Sequence, residues 1–126
     1  PYRRQRQMCI RDRSLYLIFI YIAYMLVYNT TYHADKTRKE EFVNWLRNEY
    51  IPQALQRDEL SEAKLCRVLA EDENGGMSIS LQFHVHNLDT LSRWYEACGE
   101  SLLNEMRRKF GNQVAGFSTL LEVLDI

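Results

Sequence analysis

Residues 77–85 alternate between apolar and polar side chains almost without exception, and this pattern constrains the fold more than any other feature of the chain. The apolar positions are Met77, Ile79, Leu81, Phe83 and Val85, and the polar positions are Ser78, Ser80, Gln82 and His84. Successive side chains of a β-strand point to opposite faces, so the segment predicts a strand with one apolar face. Such strands are typical of antiparallel sheets that are covered on one side only. The chain therefore needs a layer packed on one face of its sheet and leaves the other face open.

Three further segments have the composition of strands. Residues 25–33 and 113–124 are rich in β-branched and aromatic residues, and residues 63–70 form a shorter mixed run. Between the last of these and the alternating strand, residues 74–76 read Asn-Gly-Gly, which favours the positive φ values of a hairpin turn. The second and third strands are therefore predicted to be antiparallel neighbours.

Two segments have helical spacing. Residues 37–50 begin with Thr37 and Glu40, which match a capping box, and residues 87–110 begin with Asn87, a favourable N-cap. The resulting order, β-α-β-β-α-β, is the split βαβ arrangement, in which right-handed crossovers place both helices on one side of the sheet. The sequence therefore predicts an α+β, ferredoxin-like fold with a four-stranded antiparallel sheet and two helices on one face.

The period of two also assigns the faces of the first and last strands. We expect the following residues to face the helices: Leu26, Tyr28, Thr30 and Tyr32 in the first strand, and Phe117, Thr119, Leu121 and Val123 in the last. Val27, Val114 and Leu120 then lie on the open face among polar groups. We expect the first and third strands to be parallel neighbours. An open face of this kind favours a homodimer in which two sheets pack together.

Residues 1–24 differ in kind from the rest of the chain. The string QMCIRDR at residues 7–13 is similar to a translation of the transposon end that is used to fragment DNA for sequencing libraries. We therefore expect residues 1–24 to be non-native read-through of upstream DNA, and residues 25–126 to form the domain. A membrane anchor and a secretory signal are the alternatives. The uncharged run at residues 15–27 is shorter than the ~20 residues of a bilayer span, and no small-x-small cleavage site follows it.

Net charge and cysteine content indicate which binding partners and which cellular location to expect. Five arginines against one aspartate in residues 1–24 leave the remainder with a net charge of −5. An acidic domain without a stripe of basic residues lacks the electrostatic footprint for nucleic acid or an anionic membrane. The three cysteines form no CxxC pair and fit no disulfide framework, which favours a cytoplasmic location. The sequence has no glycine-rich phosphate loop, and we expect no cofactor.

Several segments carry a resemblance to one bacterial family: MLVYNTTYH (25–33), EYIPQAL (49–55), KLCRVL (64–69), SLQFHV (80–85) and FSTLLEVLD (117–125). Over residues 25–126 the chain resembles the domain-of-unknown-function family 4286. The resemblance implies a bacterial origin and a dimeric α/β barrel, a ferredoxin-like fold that also occurs in cofactor-free monooxygenases, isomerases, haem proteins and amino-acid sensors. It implies no activity and no catalytic residue, because fold alone does not determine function.

Polar residues of the predicted open face are candidates for a ligand site. Asn29, Thr31, Gln82 and His84 would line a small polar cleft between the two sheets of a dimer. The structural alternative is a water-filled interface. The leading hypothesis is an uncharacterised, soluble bacterial homodimer, with this cleft as a candidate site for a small ligand between the sheets. A cofactor-free enzyme of the monooxygenase or isomerase type and a protein-interaction module are the alternatives.

Histidines supply the weak candidates for a metal site or for acid–base catalysis. His33, His84 and His86 would lie near one another if the first and third strands were parallel. Imidazole binds zinc-like metals and titrates near neutral pH. No cysteine or carboxylate completes a ligand set, so we expect no metal.

Overall fold

The computed structural model describes residues 25–70 and 73–125. Its strands are β1 (Leu26–Ala34), β2 (Ser61–Arg67), β3 (Met77–Val85) and β4 (Val114–Glu122). The first helical segment, residues 39–54, consists of α1 (Lys39–Trp45), a π-helix (Leu46–Tyr50) and α2 (Ile51–Ala54). The second helical segment, residues 88–110, consists of α3 (Leu88–Trp94), a π-helix (Tyr95–Gly99) and α4 (Glu100–Phe110). The α+β, ferredoxin-like prediction is confirmed; the predicted read-through, residues 1–24, lies outside the described residues.

The sheet has the strand order β2-β3-β1-β4, and all neighbouring strands are antiparallel. Along the β1–β3 pair, Val27 lies opposite His84 and His33 lies opposite Ser78. The prediction that β1 and β3 are parallel is therefore wrong. The helical crossover makes β2 run parallel to β1. The hairpin then reverses the chain, so β3 lies between β1 and β2 and is antiparallel to both.

The ends of the helical segments match the sequence pattern in part. Asn87 caps α3 as predicted, because its Oδ1 accepts a hydrogen bond from the Thr90 backbone N–H at 2.8 Å. Gly111 ends α4 with a φ of 55°. The predicted capping box of Thr37 does not form: the N-cap of α1 is Arg38, without a side-chain cap. Among the described residues, no helix is long and apolar enough to cross a membrane.

The core lies between the helical segments and the β1–β3 half of the sheet. The apolar positions of β3 predicted to face inward are confirmed there, and Ile79, Leu81, Phe83 and Val85 are each 1% exposed. An aromatic cluster of Phe42, Trp45 and Phe110 completes the core, with ring centroids 5.2–6.3 Å apart. The burial of these side chains holds both helical segments on one face.

The facing predicted for β4 is wrong. Leu120 pairs with Tyr28 and Ser118 pairs with Thr30, and directly opposed residues of an antiparallel pair share a face. Gly116 explains the register, because a Cβ at this position would lie 2.7 Å from Cδ1 of Tyr32. The open face of the sheet therefore has these members: Val27, Asn29, Thr31 and His33 in β1; Ser78, Ser80, Gln82 and His84 in β3; Ala115, Phe117, Thr119 and Leu121 in β4. Val114 and Leu120 belong to the opposite face.

Candidate functional site

A cleft of about 470 Å³ opens between the β1–β4 edge of the sheet and the second helical segment. We call it the hydroxyl cleft, because hydroxyl groups are its main polar lining. Its walls are formed by Tyr28, Thr30, Tyr32, Tyr50, Trp94, Tyr95, Gly99, Leu103, Met106, Arg107, Gly111, Val114, Ala115, Gly116, Phe117 and Ser118. The volume lies within the range of small-molecule sites.

Three of the hydroxyl groups form a chain across the β1–β4 pair. The Oγ1 of Thr30 lies 3.0 Å from the Oγ of Ser118, which donates to the phenolic oxygen of Tyr28 at 3.4 Å. Thr30 and Tyr28 reach the cleft from alternate positions of β1, and Ser118 reaches it from β4. These side chains therefore arrange both donors and acceptors along one wall.

Two buried tyrosines extend this chain into the molecule. Tyr32 and Tyr50 are each only 5% exposed and hydrogen-bond to each other. Burial raises the pKa of Tyr32 to about 12, although hydrogen bonds with Tyr50 and Thr30 act in the opposite direction. Burial also raises the pKa of Tyr50 far above its ordinary value, with Tyr32 adding to the rise. Both phenols stay protonated and uncharged at neutral pH.

The helical wall of the cleft is formed around the two π-helices. Tyr50 is the last residue of the first π-helix, and the second runs from Tyr95 to Gly99. Gly99 packs directly on Trp94, because an added Cβ would lie 2.5 Å from Cζ3 of the indole. π-Helical turns insert a residue into a helix and are frequent at functional sites. Here they bring Tyr50, Tyr95 and Gly99 to the same cleft.

Trp94 joins the two helical segments at the back of the cleft. Its Nε1 donates to the backbone carbonyl of Ala54 at 3.1 Å, and its ring meets that of Tyr28 edge to face at a centroid distance of 6.0 Å. At 1% exposure, the indole is fixed in place. The aromatic wall is therefore held by both a hydrogen bond and packing.

The residues predicted as a ligand site lie on the open face. Ser80 Oγ donates to Asn29 Oδ1 at 2.6 Å, and Asn29 Nδ2 donates to Thr31 Oγ1 at 3.3 Å. Gln82 lies directly opposite Asn29 in the β1–β3 pair. The structure therefore brings Asn29, Thr31 and Gln82 together, with His84 two positions further along β3 on the same face.

The predicted convergence of the histidines does not occur. His84 pairs with Val27, whereas His33 lies six residues further along β1, roughly 20 Å away at strand spacing. His86 follows the end of β3. The antiparallel pairing separates residues that a parallel pairing would have brought together. Among the described residues, no group of three His, Cys, Asp or Glu side chains is placed to hold a metal ion.

Sequence reasoning missed the hydroxyl cleft. It assigned Tyr28, Thr30 and Tyr32 to the helix-facing side of β1 correctly but treated them as ordinary core. Hydroxyl groups at three alternate positions of an inward face are a usable signal, because buried hydroxyls require hydrogen-bonding partners. Ser118 was missed because the facing of β4 had been inverted, and Tyr50 because nothing in the sequence marks a π-helix.

A second groove, of about 480 Å³, lies at the other edge of the sheet between α1 and β2. Charged side chains of both signs line it, including Glu40 and Arg47. The Nζ of Lys39 donates to the Gly75 carbonyl at 3.0 Å. Among the residues that the structure describes, this groove has no connected set of polar groups comparable to the hydroxyl chain, so we regard the hydroxyl cleft as the candidate site.

Comparison with known families assigns residues 25–124 to a family described as a domain of unknown function, DUF4286. The chain belongs to the DUF4286 family. This confirms the resemblance seen in the sequence. Among curated proteins, none matches the chain at a significant level.

Several solved structures are similar in fold to this DUF4286 chain. A candidate antibiotic biosynthesis monooxygenase from Caulobacter crescentus is 14% identical, with a TM-score of 0.61, covering 84% of this chain and 95% of its own. An EthD family protein from Bacillus halodurans is 11% identical, with a TM-score of 0.58, over 75% and 96%. Hydroxynitrile lyase from Passiflora edulis is 10% identical, with a TM-score of 0.57, over 80% and 97%. At these identities the similarity establishes the fold.

Proposed function

We propose that this DUF4286 protein binds a small organic molecule in the hydroxyl cleft and forms a homodimer through the open faces of two sheets. The observation that carries the binding proposal is the hydroxyl chain from Tyr28 through Ser118 and Thr30, beside the paired phenols of Tyr32 and Tyr50. Hydrogen-bonding groups placed in a cleft of this volume are typical of ligand sites. A bacterial, cytoplasmic location is part of the proposal and rests on the family and the cysteine pattern.

A fragment screen by ¹H–¹⁵N NMR on the full chain tests the cleft. We expect ligands to shift the amide signals of β4 and the second helical segment. Ser118→Phe fills the cleft from its strand wall and should abolish these shifts. Thr119→Phe is the matched control, because the adjacent residue points to the open face and should leave them intact. Shifts confined to Asn29, Gln82 and His84 would instead favour the ligand site predicted from the sequence.

The dimer proposal rests on the apolar residues of the open face. Phe117 is 65% exposed and Leu121 is 43% exposed on this face, next to Val27. The polar cluster of Asn29 and its neighbours would then lie at the centre of the interface with its hydrogen bonds already formed. A second copy would cover apolar surface that each monomer leaves in water.

Sedimentation velocity across a dilution series tests the dimer with two adjacent substitutions. Leu121→Lys places a charge in the proposed interface and should shift the equilibrium strongly to monomer. Leu120→Lys is the matched control, because Leu120 points to the helix-facing side and should leave the dimer intact. A wild-type protein that is monomeric throughout the series would contradict the dimer and favour the open face as a surface for a different protein.

A catalytic role is the alternative use of the same cleft, favoured by the named activities of similar structures. Neither His33 nor His84, the acid–base candidates from the sequence, is among the residues lining the cleft. A reaction there would depend on the tyrosine hydroxyls. Mass spectrometry of a ligand from the fragment screen, after incubation with the protein in air, distinguishes the two functions. Recovery of the unchanged ligand supports binding. Conversion of the ligand to a product, abolished by Tyr32→Phe, supports an enzyme.

A further inference from the structure

The charge on the wall of the hydroxyl cleft indicates the charge of the ligand that it would bind. The lining contains one charged side chain, Arg107, and no carboxylate, as judged from the described residues. The sequence places Arg107 in a basic turn with Arg108 and Lys109, which suits the negative end of the α4 dipole. Of these three side chains, only that of Arg107 also lines the cleft. Arg107 therefore lies both at the helix end and at the cleft.

Arg107 also differs from the arginines whose partners lie within the protein. Arg38 pairs with Glu41 at 2.8 Å, and Arg57 pairs with Glu59 at 2.6 Å. Within residues 25–70 and 73–125, Arg107 has no carboxylate partner at ion-pair distance. A guanidinium offers a planar fork of donors that matches a carboxylate in two parallel hydrogen bonds.

The rest of the cleft favours a flat molecule with an uncharged polar end. The rings of Tyr28 and Trp94 meet edge to face, and an aromatic ring of a ligand would pack against them in a similar geometry. Thr30 and Ser118 offer neutral hydroxyls that donate or accept. A cleft of about 470 Å³ accommodates one or two rings.

We propose that the ligand of the hydroxyl cleft is a small aromatic carboxylic acid, with its carboxylate on Arg107 and a ring hydroxyl or carbonyl on the hydroxyl chain. This inference rests on the proposed function of the cleft. It adds the charge and shape of the ligand, and it gives Arg107 the role of a specificity-determining residue.

The test compares para-hydroxybenzoate with its neutral amide, para-hydroxybenzamide, and with the non-aromatic cyclohexanecarboxylate. NMR titrations of the full chain measure the affinity from the shifted cleft signals. We expect the hydroxybenzoate to bind at least about 10-fold more tightly than either comparison compound, a difference of about 1.4 kcal/mol. Arg107→Gln should remove the preference for the carboxylate over the amide. Arg108→Gln, one residue further along the same exposed turn, should preserve it.

The outcomes separate the two proposals. If the amide binds the cleft as tightly as the acid, or if both arginine variants behave alike, the ligand class is wrong while binding in the cleft stands. If neither these compounds nor a general fragment set shifts cleft signals in a way that Ser118→Phe abolishes, the proposed function itself is wrong. The acid–amide comparison in the wild-type chain keeps the inference testable even if Arg107→Gln fails to fold.

Discussion

β3 and β4 flank the same central strand and are equally long, yet the molecule uses them differently. The inward side chains of β3 lie under the helical segments, and Phe83 is 1% exposed. None of the residues of β4 is buried, and its inward face borders the hydroxyl cleft. The comparison indicates a division within one helix-facing surface: the β3 side supplies the hydrophobic stability of the fold, and the β4 side borders an open cleft lined by polar groups, which is the proposed ligand site.

The largest effect should come from truncating the packed side. Phe83→Ala removes a large side chain that is 1% exposed and leaves a cavity, so we expect the free energy of unfolding to fall by about 3–5 kcal/mol. Leu120→Ala on the β4 side should cost far less, because Leu120 is 39% exposed. Urea unfolding of both variants measures the contrast. Equal losses would mean that the two sides contribute alike.

The buried tyrosines predict a loss of stability at alkaline pH that originates on the cleft side. An unfolded tyrosine loses its proton near pH 10, whereas Tyr32 in the folded protein holds its proton until about pH 12. Between these values the unfolded chain binds fewer protons, so the unfolding free energy should fall by about 1.4 kcal/mol per pH unit for this group.

Denaturant melts at several pH values test the assignment. Tyr32→Phe should make the dependence between these two pH values shallower without removing it, because Tyr50 also keeps its proton in this range when folded. Tyr95→Phe, at an exposed position of the cleft, is the matched control. If Tyr32→Phe leaves the slope as steep as in the wild-type protein, the alkaline loss arises elsewhere.

An intermediate effect should come from Gly99, where the cleft wall meets the packed interior. Gly99→Ala would bring a Cβ within 2.5 Å of the Trp94 ring, which is 1% exposed and held by its hydrogen bond to Ala54. We expect a loss of about 1–3 kcal/mol from overpacking, measured by thermal or denaturant unfolding. Ser101→Ala, at an exposed position of α4, should be nearly neutral. A stable Gly99→Ala variant with unchanged ligand binding would show that the cleft wall accommodates an added methyl group more easily than the packed β3 side does.

The smallest effect should come from the polar lining. Ser118→Ala removes the hydroxyl bonded to Thr30 Oγ1, and we expect a loss of about 1 kcal/mol in the unfolding free energy. Thr119→Ala on the open face is the control within the same strand. A loss as large as that of Phe83→Ala would mean that the hydroxyl chain is primarily structural.

The same contrast explains what the sequence could predict. In β3, apolar and polar residues alternate, so only one orientation of the strand buries its apolar side chains. The sequence alone therefore predicts which side chains of β3 point to the helices. In β4, both faces carry large apolar residues, including Phe117 on one and Leu120 on the other. Its facing depends on Gly116 against Tyr32 and on Ser118 meeting Thr30, contacts that connect β4 to a distant strand.

The error in strand direction had a different origin. It came from topology rather than from local pattern, and it produced the histidine cluster that the antiparallel pairing separates. The common face of Asn29, Thr31 and Gln82 was predictable, because strand periodicity alone assigns it. That Gln82 lies opposite Asn29 depends on the register of the β1–β3 pair. The hydroxyl cleft required Tyr50 and Ser118, whose placement depends on a π-helix and on the β4 register.

The two π-helices carry a consequence for how such a cleft could change over evolution. Each accommodates one residue more than an α-helix of the same length, so deleting one residue from Leu46–Tyr50 or Tyr95–Gly99 restores α-helical geometry. One residue corresponds to a rotation of about 100° around a helix axis. A single codon deletion would therefore turn Tyr50 or Tyr95 away from the cleft and leave the residues of β3 in place, although Tyr50 would also leave the core. Length variation at these two points offers a route to changing the proposed ligand site on the same sheet.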